Sequence, residues 1–494
     1  MIGSISEMNS TKRGAVILAL GQAAVQASSF ARNIILARLI SPADFGIAAL
    51  FAMTLQVIEM LTNVSAETFL VQSEDGDDPA LQGTLHSFRA VRGLCSGLGI
   101  LLLGGTVAKL FGAPQAGWAF SCVGALPLMR GLSHLDITRL QRHMRYAPSV
   151  KTEAGASWLA TIGIAPLAFW FRDYRAMLFI LLGQGFITMA LSHVLAERRY
   201  SMTWSKAYWC RLIAFGWPLT VNGLLMFGIF QGDRLVVGSA PQLFPGSTLT
   251  LADLGVYSAA FALAQAPTMM LANSASSLFL PVLSRLQASP EEFRSKYRMI
   301  CQSVSFAASL TAALFLTAGH AMVTLVFGSQ YRPSPLVVGL IGAMWAVRIV
   351  RVAPTIAAIA AGDTKNTMIA NGIRSLGIVG MCAAAALGAD LAWIPFASFA
   401  AEVLALGSNV IRLKGRTPLS VGVHTSPLAL GFGCMIGSAL IGVRLGSQSL
   451  SMTLLASTLT IITVFIVLTI AFGELRHYSI AGIRSLATFR LGSE

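Results

Sequence analysis

Apolar residues run along this chain in long blocks separated by short polar stretches. An α-helix needs about 20 apolar residues to cross a bilayer. Read against that length, the blocks predict fourteen spans, at 14–38, 45–71, 84–111, 115–137, 151–171, 175–197, 208–237, 252–283, 297–327, 333–361, 366–388, 391–411, 425–443 and 451–473. The connecting stretches are short, so no extramembrane catalytic domain is expected.

Composition agrees with this pattern. Of 494 residues, 55% are hydrophobic and 11% charged, with a mean hydropathy of +0.70. Soluble domains carry about 25% charged residues, so an ordinary soluble enzyme and a disordered chain are both excluded. The net charge of +14 would suggest nucleic acid in a soluble protein. In a membrane protein it points first to basic cytoplasmic loops, and no nucleic-acid partner is expected.

The basic residues set the orientation. With the N-terminus in the cytoplasm, the inside segments take the clusters around Arg139–Lys151, Arg198–Arg211, Arg285–Arg298 and Arg412–Arg416, together with the C-terminal tail. Outside remain only Arg38, Lys109, Arg172, Arg175, Arg332 and Arg444. Both termini are therefore placed in the cytoplasm. One segment resists: 72–82 should lie inside, yet it carries Glu74, Asp75, Asp77 and Asp78 and no Lys or Arg. The first apolar run contains Gln22, Gln26 and Arg32 and has no clear small-residue cleavage site, so it reads as a retained helix rather than a signal peptide. The six cysteines form no CxxC pair, and they read as small buried apolar residues with no metal site or disulfide framework.

The chain also repeats itself. Asp44-Phe45-Gly46-Ile47 opens the second span, and Asp253-Leu254-Gly255-Val256 opens the eighth, 209 positions later. At the same offset Gln56 meets Gln265 and Ser65-Ala66 meets Ser274-Ala275. The preceding spans align at 202, bringing Arg32 onto Arg234. The expected fold is an all-α integral membrane protein of about fourteen transmembrane helices. Two six-helix lobes, 1–200 and 201–412, form a parallel pseudo-repeat. Residues 413–494 add two further helices and a cytoplasmic tail. An even-numbered repeat inserts both halves the same way and places a cavity between them.

Charges inside spans are costly, about 2.5–3.5 kcal/mol each at a helix centre, so they mark candidate sites. All the intramembrane cations are arginines: Arg32, Arg89, Arg92, Arg130, Arg234, Arg348, Arg351 and Arg374. Arg89, Arg92 and Arg130 can snorkel to an interface. Arg348 and Arg351 share one helix face at i, i+3. A guanidinium binds phosphate as a two-pronged fork, so Arg32, Arg234, Arg348, Arg351 and Arg374 are the candidates for holding an anionic substrate. Gln56, Glu59, Asn63 and Glu67 follow a single stripe, and the first span has its own with Gln22 and Gln26. Gln22, Gln26, Gln56 and Asn63 are read as a polar lumen, and Glu59, Asp233 and Glu402 as carriers of a coupling H+ or Na+. Interhelical hydrogen bonds that only hold the bundle together are the bland alternative. Histidines show no ligand spacing. The ATP-binding GxxxxGK[ST], HExxH and GxSxG motifs are absent, and no cofactor is indicated.

Several segments carry a family resemblance. From Ala31, ARNIILARLISPADFGIAALFAMTLQVIEMLTNVSAETFLVQ resembles the opening of the polysaccharide-transport (Wzx-type) flippases, within the multidrug, oligosaccharidyl-lipid and polysaccharide exporter superfamily. LQRHMRYAPS, GDRLVVGSA, LGVYSAAFALAQAPTMMLANSASSLFLPVLSRLQ, LVFGSQYRPS and AAGDTKNTMIAN are similar to later stretches of the same family. The resemblance implies alternating access and transfer of an undecaprenyl-pyrophosphate-linked oligosaccharide across the bacterial inner membrane. It implies a role in exopolysaccharide, capsule or lipopolysaccharide synthesis, with ion coupling, and a polysaccharide polymerase and chain-length machinery as partners. No enzyme activity is expected. A peptidoglycan-precursor flippase, a cation-driven drug exporter of the same superfamily and a membrane-embedded glycan polymerase or ligase are the alternatives.

Overall fold

The computed structural model describes residues 2–62, 64–414, 422–445 and 448–473. Contacts divide the chain into two compact units, Met1–Gly255 and Val256–Glu494. The first contains α1 (Ile2–Leu39), α2 (Pro42–Thr62), α3 (Ala66–Gln72), α4 (Pro79–Leu110), α5 (Gly117–Val123), α6 (Ala125–Leu132), α7 (Asp136–Arg142), α8 (Ala147–Phe171), α9 (Arg175–Val194), α10 (Lys206–Leu243) and the first turn of α11 (Leu251–Arg285). The second holds the rest of α11, α12 (Pro290–Phe327), α13 (Pro335–Ala360), α14 (Thr364–Ser375), α15 (Gly377–Ala386), α16 (Trp393–Lys414), α17 (Gly422–Leu445) and α18 (Leu450–Ala471). Among the described residues there is no strand, and twelve helices are long and apolar enough to cross a membrane, with α14 and α15 acting as one. The protein is an all-helical, multi-pass membrane protein. Its outward surface is apolar, as a lipid-facing surface must be: Leu102, Trp170 and Leu387 are about four-fifths exposed. Cys95, Cys122 and Cys210 share that exposure, and only Cys301 is fully buried, which corrects the reading of all six as buried.

Besides the eleventh, which divides into α14 and α15, two predicted spans are broken, each for a local reason. The fourth, 115–137, becomes α5, α6 and α7. After Ser133 turns extended, three successive backbone N–H groups leave the helical ladder for side chains. His134 N donates to Ser192 Oγ at 2.9 Å, Leu135 N to His86 Nε2 at 3.0 Å, and Asp136 N to His134 Nδ1 at 3.0 Å. A helix can stop inside a fold only if such donors find partners. The second span, 45–71, divides into α2 and α3, with Ser65 in the left-handed region at φ 55°. Gly216 of α10 lies against this break, where a Cβ would run into the Val64 carbonyl oxygen.

The internal repeat has a structural counterpart. Ser41 and Asp44 cap α2 reciprocally: Asp44 N donates to Ser41 Oγ at 3.1 Å, and Ser41 Oγ donates to the Asp44 carboxylate at 2.5 Å. Thr250 and Asp253 do the same at α11, at 3.2 and 2.7 Å. This is a capping box recurring at the 209-residue offset. The repeat-related glycines face each other's helices. A Cβ on Gly46 would meet the Leu251 carbonyl, and one on Gly255 the Pro42 carbonyl.

The acidic loop after α3 also finds its explanation. Asp77 receives Arg139 at 3.4 Å, Arg142 at 3.4 Å and His143 at 2.8 Å. Arg142 caps the carbonyls of Val71, Ser73 and Glu74. Arg211 pairs with Asp75 at 2.6 Å, and the Tyr208 hydroxyl donates to Asp78 at 2.6 Å. The acidic segment thus sits on the same face as the basic segments 139–145 and 198–211 and supplies their counter-charges. The exception to the positive-inside pattern is local neutralisation. α10 is bound by these contacts and by packing on α2, α3 and α4 to the first unit. In the second unit, α17 and α18 both pack on α12, around Ala313, Val464 and Leu468.

Two outcomes follow. Gly255→Val should lower stability by about 1–3 kcal/mol, the usual range for overpacking a close contact; an unchanged melting temperature of the purified protein would contradict the close approach. The hydrogen bond from His143, reinforced by Arg139, holds the Asp77 carboxyl below its ordinary value. A depressed carboxyl stabilises the fold above its unfolded-state pKa and loses that contribution as pH falls through the folded value. The melting difference between wild type and Asp77→Asn should therefore be steady at neutral pH and vanish only in acid. A difference that instead grew on acidification would be the wrong sign.

Candidate functional site

The first unit encloses a cavity of about 910 Å³ lined from α1, α2, α3, α4, α6, α7, α8 and α9 and the turns between them. Its charged lining is four arginines, Arg32, Arg89, Arg92 and Arg130, and three glutamates, Glu59, Glu67 and Glu153. Arg130 of α6 donates from Nη1 to both carboxylate oxygens of Glu59 on α2, at 2.5 Å to Oε1. Arg89 of α4 approaches Glu67 of α3 at 3.4 Å and donates to the Arg130 carbonyl at 2.6 Å. Arg32 of α1 donates to the Gln184 side chain on α9 at 2.5 Å. Its Nε is buried with no hydrogen-bond acceptor. Ser133, Thr138, Ser149, Thr188 and Ser192 supply hydroxyls. A polar space of this size between apolar-faced helices suits a charged, hydroxyl-rich ligand. Arginine–glutamate pairs on its wall can exchange the carboxylate for a phosphate oxygen without leaving the guanidinium unsolvated.

The turn that breaks the fourth span forms part of this wall. His134 lines the cavity and packs edge-on to His86 at 4.9 Å and to His193 at 5.3 Å, with Tyr200 stacked on His86 at 4.3 Å. His86 donates from Nδ1 to the Ser201 carbonyl while Nε2 accepts from Leu135, so both ring nitrogens are committed to backbone. Asp136, fully buried, accepts from Arg139 at 2.6 Å and from the Glu197 and Arg198 amides. This cluster positions the wall. No group of three or more His, Cys, Asp or Glu among the described residues could hold a metal ion.

A second charged centre lies in the second unit. Glu402 of α16 accepts from Arg348 of α13 at 2.5 Å and from Arg374 of α14 at 2.8 Å, and Arg351 of α13 stands 3.4 Å away. Arg348 also lies 4.4 Å from the centroid of the Trp345 ring, and Arg374 reaches the Asn371 side chain at 3.0 Å. The helical i, i+3 spacing aligns Arg348 with Arg351. The carboxylate draws α13, α14 and α16 together. Removing one member of a buried charged group usually costs about 3–5 kcal/mol, because the others are left uncompensated.

The residues singled out from sequence therefore separate. Arg32 and Glu59 line the first-unit cavity; Arg348, Arg351, Arg374 and Glu402 form the second-unit cluster. Asp233 and Arg234 stay on α10, 3.9 Å apart, with Arg234 also donating to the Phe230 carbonyl. Gln22 reaches Glu153 at 3.5 Å, and Gln56 accepts from Gln231 of α10 at 2.8 Å. Gln26 is exposed, and Asn63 lies outside the described residues. Sequence reasoning placed Glu67 on the polar stripe with Glu59 and missed Arg89, Arg92, Arg130, Glu153 and Gln184 as cavity residues. Arg89, Arg92 and Arg130 look from sequence like snorkelling positions. The acidic partners of Arg89 and Arg130 lie on other helices, so no local spacing reveals the pairs.

Comparison with known proteins adds the family. The profile described as "Polysaccharide biosynthesis protein" matches residues 35–335. The succinoglycan biosynthesis transport protein ExoT of Rhizobium meliloti (strain 1021) is 25% identical over 316 residues, 62% of this chain and 60% of that protein. The chain thus matches less than two thirds of that relative's length. Among solved structures, the inward closed conformation of the lipid II flippase MurJ superposes with a TM-score of 0.69. It has 14% identity and covers 93% of this chain and 99% of that one. An inward-facing multidrug resistance MATE family transporter of the MOP superfamily gives 0.58 at 13% identity, over 81% and 98%. At such identities the likeness is of fold alone. The MurJ and MATE likeness bears out the expected superfamily fold, and the profile match covers more than half the chain. The chain belongs to the polysaccharide biosynthesis protein family.

Proposed function

We propose that this protein flips a lipid-linked oligosaccharide bearing a pyrophosphate, of the undecaprenyl type, across the bacterial inner membrane during polysaccharide synthesis. The observation that carries this reading is the arginine-lined cavity inside a membrane-embedded unit. Family membership supports it, as does a relative named for succinoglycan transport. Exopolysaccharide, capsule and lipopolysaccharide precursors all share the recognised chemistry, an anionic pyrophosphate next to sugar hydroxyls. Arg32, Arg89, Arg92 and Arg130 would neutralise the pyrophosphate and the hydroxyl side chains would meet the glycan. The halves 1–200 and 201–412 would act as the alternating-access lobes, with 413–494 as an added pair. Both termini would lie in the cytoplasm, and the glycan polymerase and chain-length proteins would receive the product. An inside-negative potential drives anions outward, with roughly 2.3 kcal/mol per charge per 100 mV. H+ or Na+ would be the coupling ion.

The likeness to the lipid II flippase fold keeps a peptidoglycan precursor as the second reading. A cationic-drug exporter fits less well, because Glu59 and Glu67 are already engaged by arginine. A strain lacking the gene separates these readings. Accumulated lipid-linked repeat unit with loss of surface polymer is the expected result, and the sugar composition identifies the cargo. Normal levels of both would reject the proposal.

Two substitutions extend the test. Arg32→Ala should lower surface polymer about 10- to 100-fold, matching the roughly 1.5–3 kcal/mol of a charge-assisted hydrogen bond; full export at normal protein level would remove Arg32 from cargo binding. In the second unit, Arg348→Ala should reduce both protein level and export more than Arg351→Ala, because Arg348 makes the shorter contact with Glu402. Normal export by the double variant at normal protein level would remove this cluster from the mechanism.

A further inference from the structure

The three carboxylates of the first-unit cavity are not equivalent. Glu59 is bridged by Arg130 Nη1, and Glu67 is approached by Arg89. Glu153 of α8 lines the same cavity, yet among the described residues no basic group stands within ion-pair distance of it. Its neighbours are neutral: the Gln22 amide donates to Oε2 at 3.5 Å, and the Ser149 hydroxyl to Oε1 at 3.5 Å. Both contacts are long and weak. The sequence reading assigned ion coupling to Glu59, Asp233 and Glu402. Of these, Glu59 and Glu402 are gripped by arginine, and Asp233 lies beside Arg234. Protonating such a carboxylate strands a guanidinium in a poorly hydrated setting. Protonating Glu153 breaks no ion pair.

A hard cation needs several oxygen ligands, and no group of three or more His, Cys, Asp or Glu that could hold a metal ion stands among the described residues. The elements packed on α8 are α1, α9 and α7. From α1, Arg32 is directed to Gln184. From α9, His193 donates to the Leu132 carbonyl, and Arg175 pairs with Asp173. From α7, Asp136 and Arg139 pair with each other, and Arg142 caps the turn at 71–74. Lys151, on α8 itself, is exposed. The same cavity wall also carries a second carboxylate, Glu67.

We propose that Glu153 is the proton-exchanging group of this cavity, taking up a proton as anionic cargo enters and releasing it as cargo leaves. This rests on the transport reading above. The physical link is charge. A pyrophosphate brought against Arg32, Arg89, Arg92 and Arg130 adds negative potential throughout a shared, partly desolvated space. That potential favours the neutral form of Glu153, which among the described residues has no cation within ion-pair distance to hold it ionised. By reciprocity, a proton on Glu153 favours cargo binding by the same factor.

The test uses the full chain in two readouts. Infrared difference spectra of the protein in liposomes are recorded as pH is lowered from neutral into the mildly acidic range. The wild type and Glu153→Asp should both show a protonated-carboxyl band that grows on acidification, and Glu153→Gln should lack it. In a strain depending on the variant for surface polymer, Glu153→Gln should lower export about tenfold, within the usual range for linked sites, and Glu153→Asp should largely restore it. An unchanged band in Glu153→Gln would overturn the assignment, as would a band that sodium ions abolish, which would make the group a cation ligand. Loss of the band with full export would overturn the coupling. If the wild-type gene itself restores no polymer, the transport reading fails, and the infrared band still decides whether Glu153 exchanges protons.

Discussion

A guanidinium cannot be left bare among apolar helices, and this constraint organises both units. Arginine stays charged at any physiological pH, so each buried one must be matched by a carboxylate, an amide, a carbonyl or an aromatic face. The chain uses all four. Arg130 takes Glu59, Arg32 takes Gln184, Arg89 takes a backbone carbonyl together with Glu67, and Arg348 lies over Trp345 while bonding Glu402. Apart from the Trp345 contact, which lies within α13, each match joins two different helices, so meeting the charge requirement also fixes helix positions.

The two charged centres meet that requirement differently. In the second unit, one nearly inaccessible carboxylate serves three arginines from two other helices. This is a compact knot suited to holding α13, α14 and α16 in register. In the first unit, the pairs are spread around a polar cavity and partly exposed: Arg130 is 46% exposed and Glu67 62%. Partners that face open space can be exchanged for those of a ligand, whereas a closed knot cannot. On the proposed function, that contrast would put cargo recognition in the first unit and leave the second-unit cluster as a positioning element.

Much of this was legible in the sequence, and what was not has identifiable causes. Hydropathy marks the spans because a bilayer demands a fixed apolar length. The repeat is visible because Asp44-Phe45-Gly46 and Asp253-Leu254-Gly255 perform the same capping and close-approach tasks. The break at Ser133 leaves the apolar pattern intact, because its backbone donors are satisfied by the remote residues His86 and Ser192. Arg348 and Arg351 could be placed on one face by spacing alone, but nothing local joins them to Arg374 or Glu402. The acidic 72–82 segment looked like a conflict in orientation because a charge count takes no account of partners. One available signal was passed over: Glu153 is a solitary acid near the start of an apolar run.

The central claim is that this chain carries a pyrophosphate-linked glycan through the membrane by way of its arginine-lined cavity. Its most direct test is transbilayer movement in liposomes containing only the purified protein. A lipid-pyrophosphate-linked oligosaccharide in the vesicle would be scored by access to a membrane-impermeant sugar oxidant. The account predicts that wild-type protein renders the inner-leaflet pool accessible far faster than protein-free vesicles do, and that Arg32→Ala largely removes this acceleration. Equal rates with and without the folded wild-type protein would contradict it.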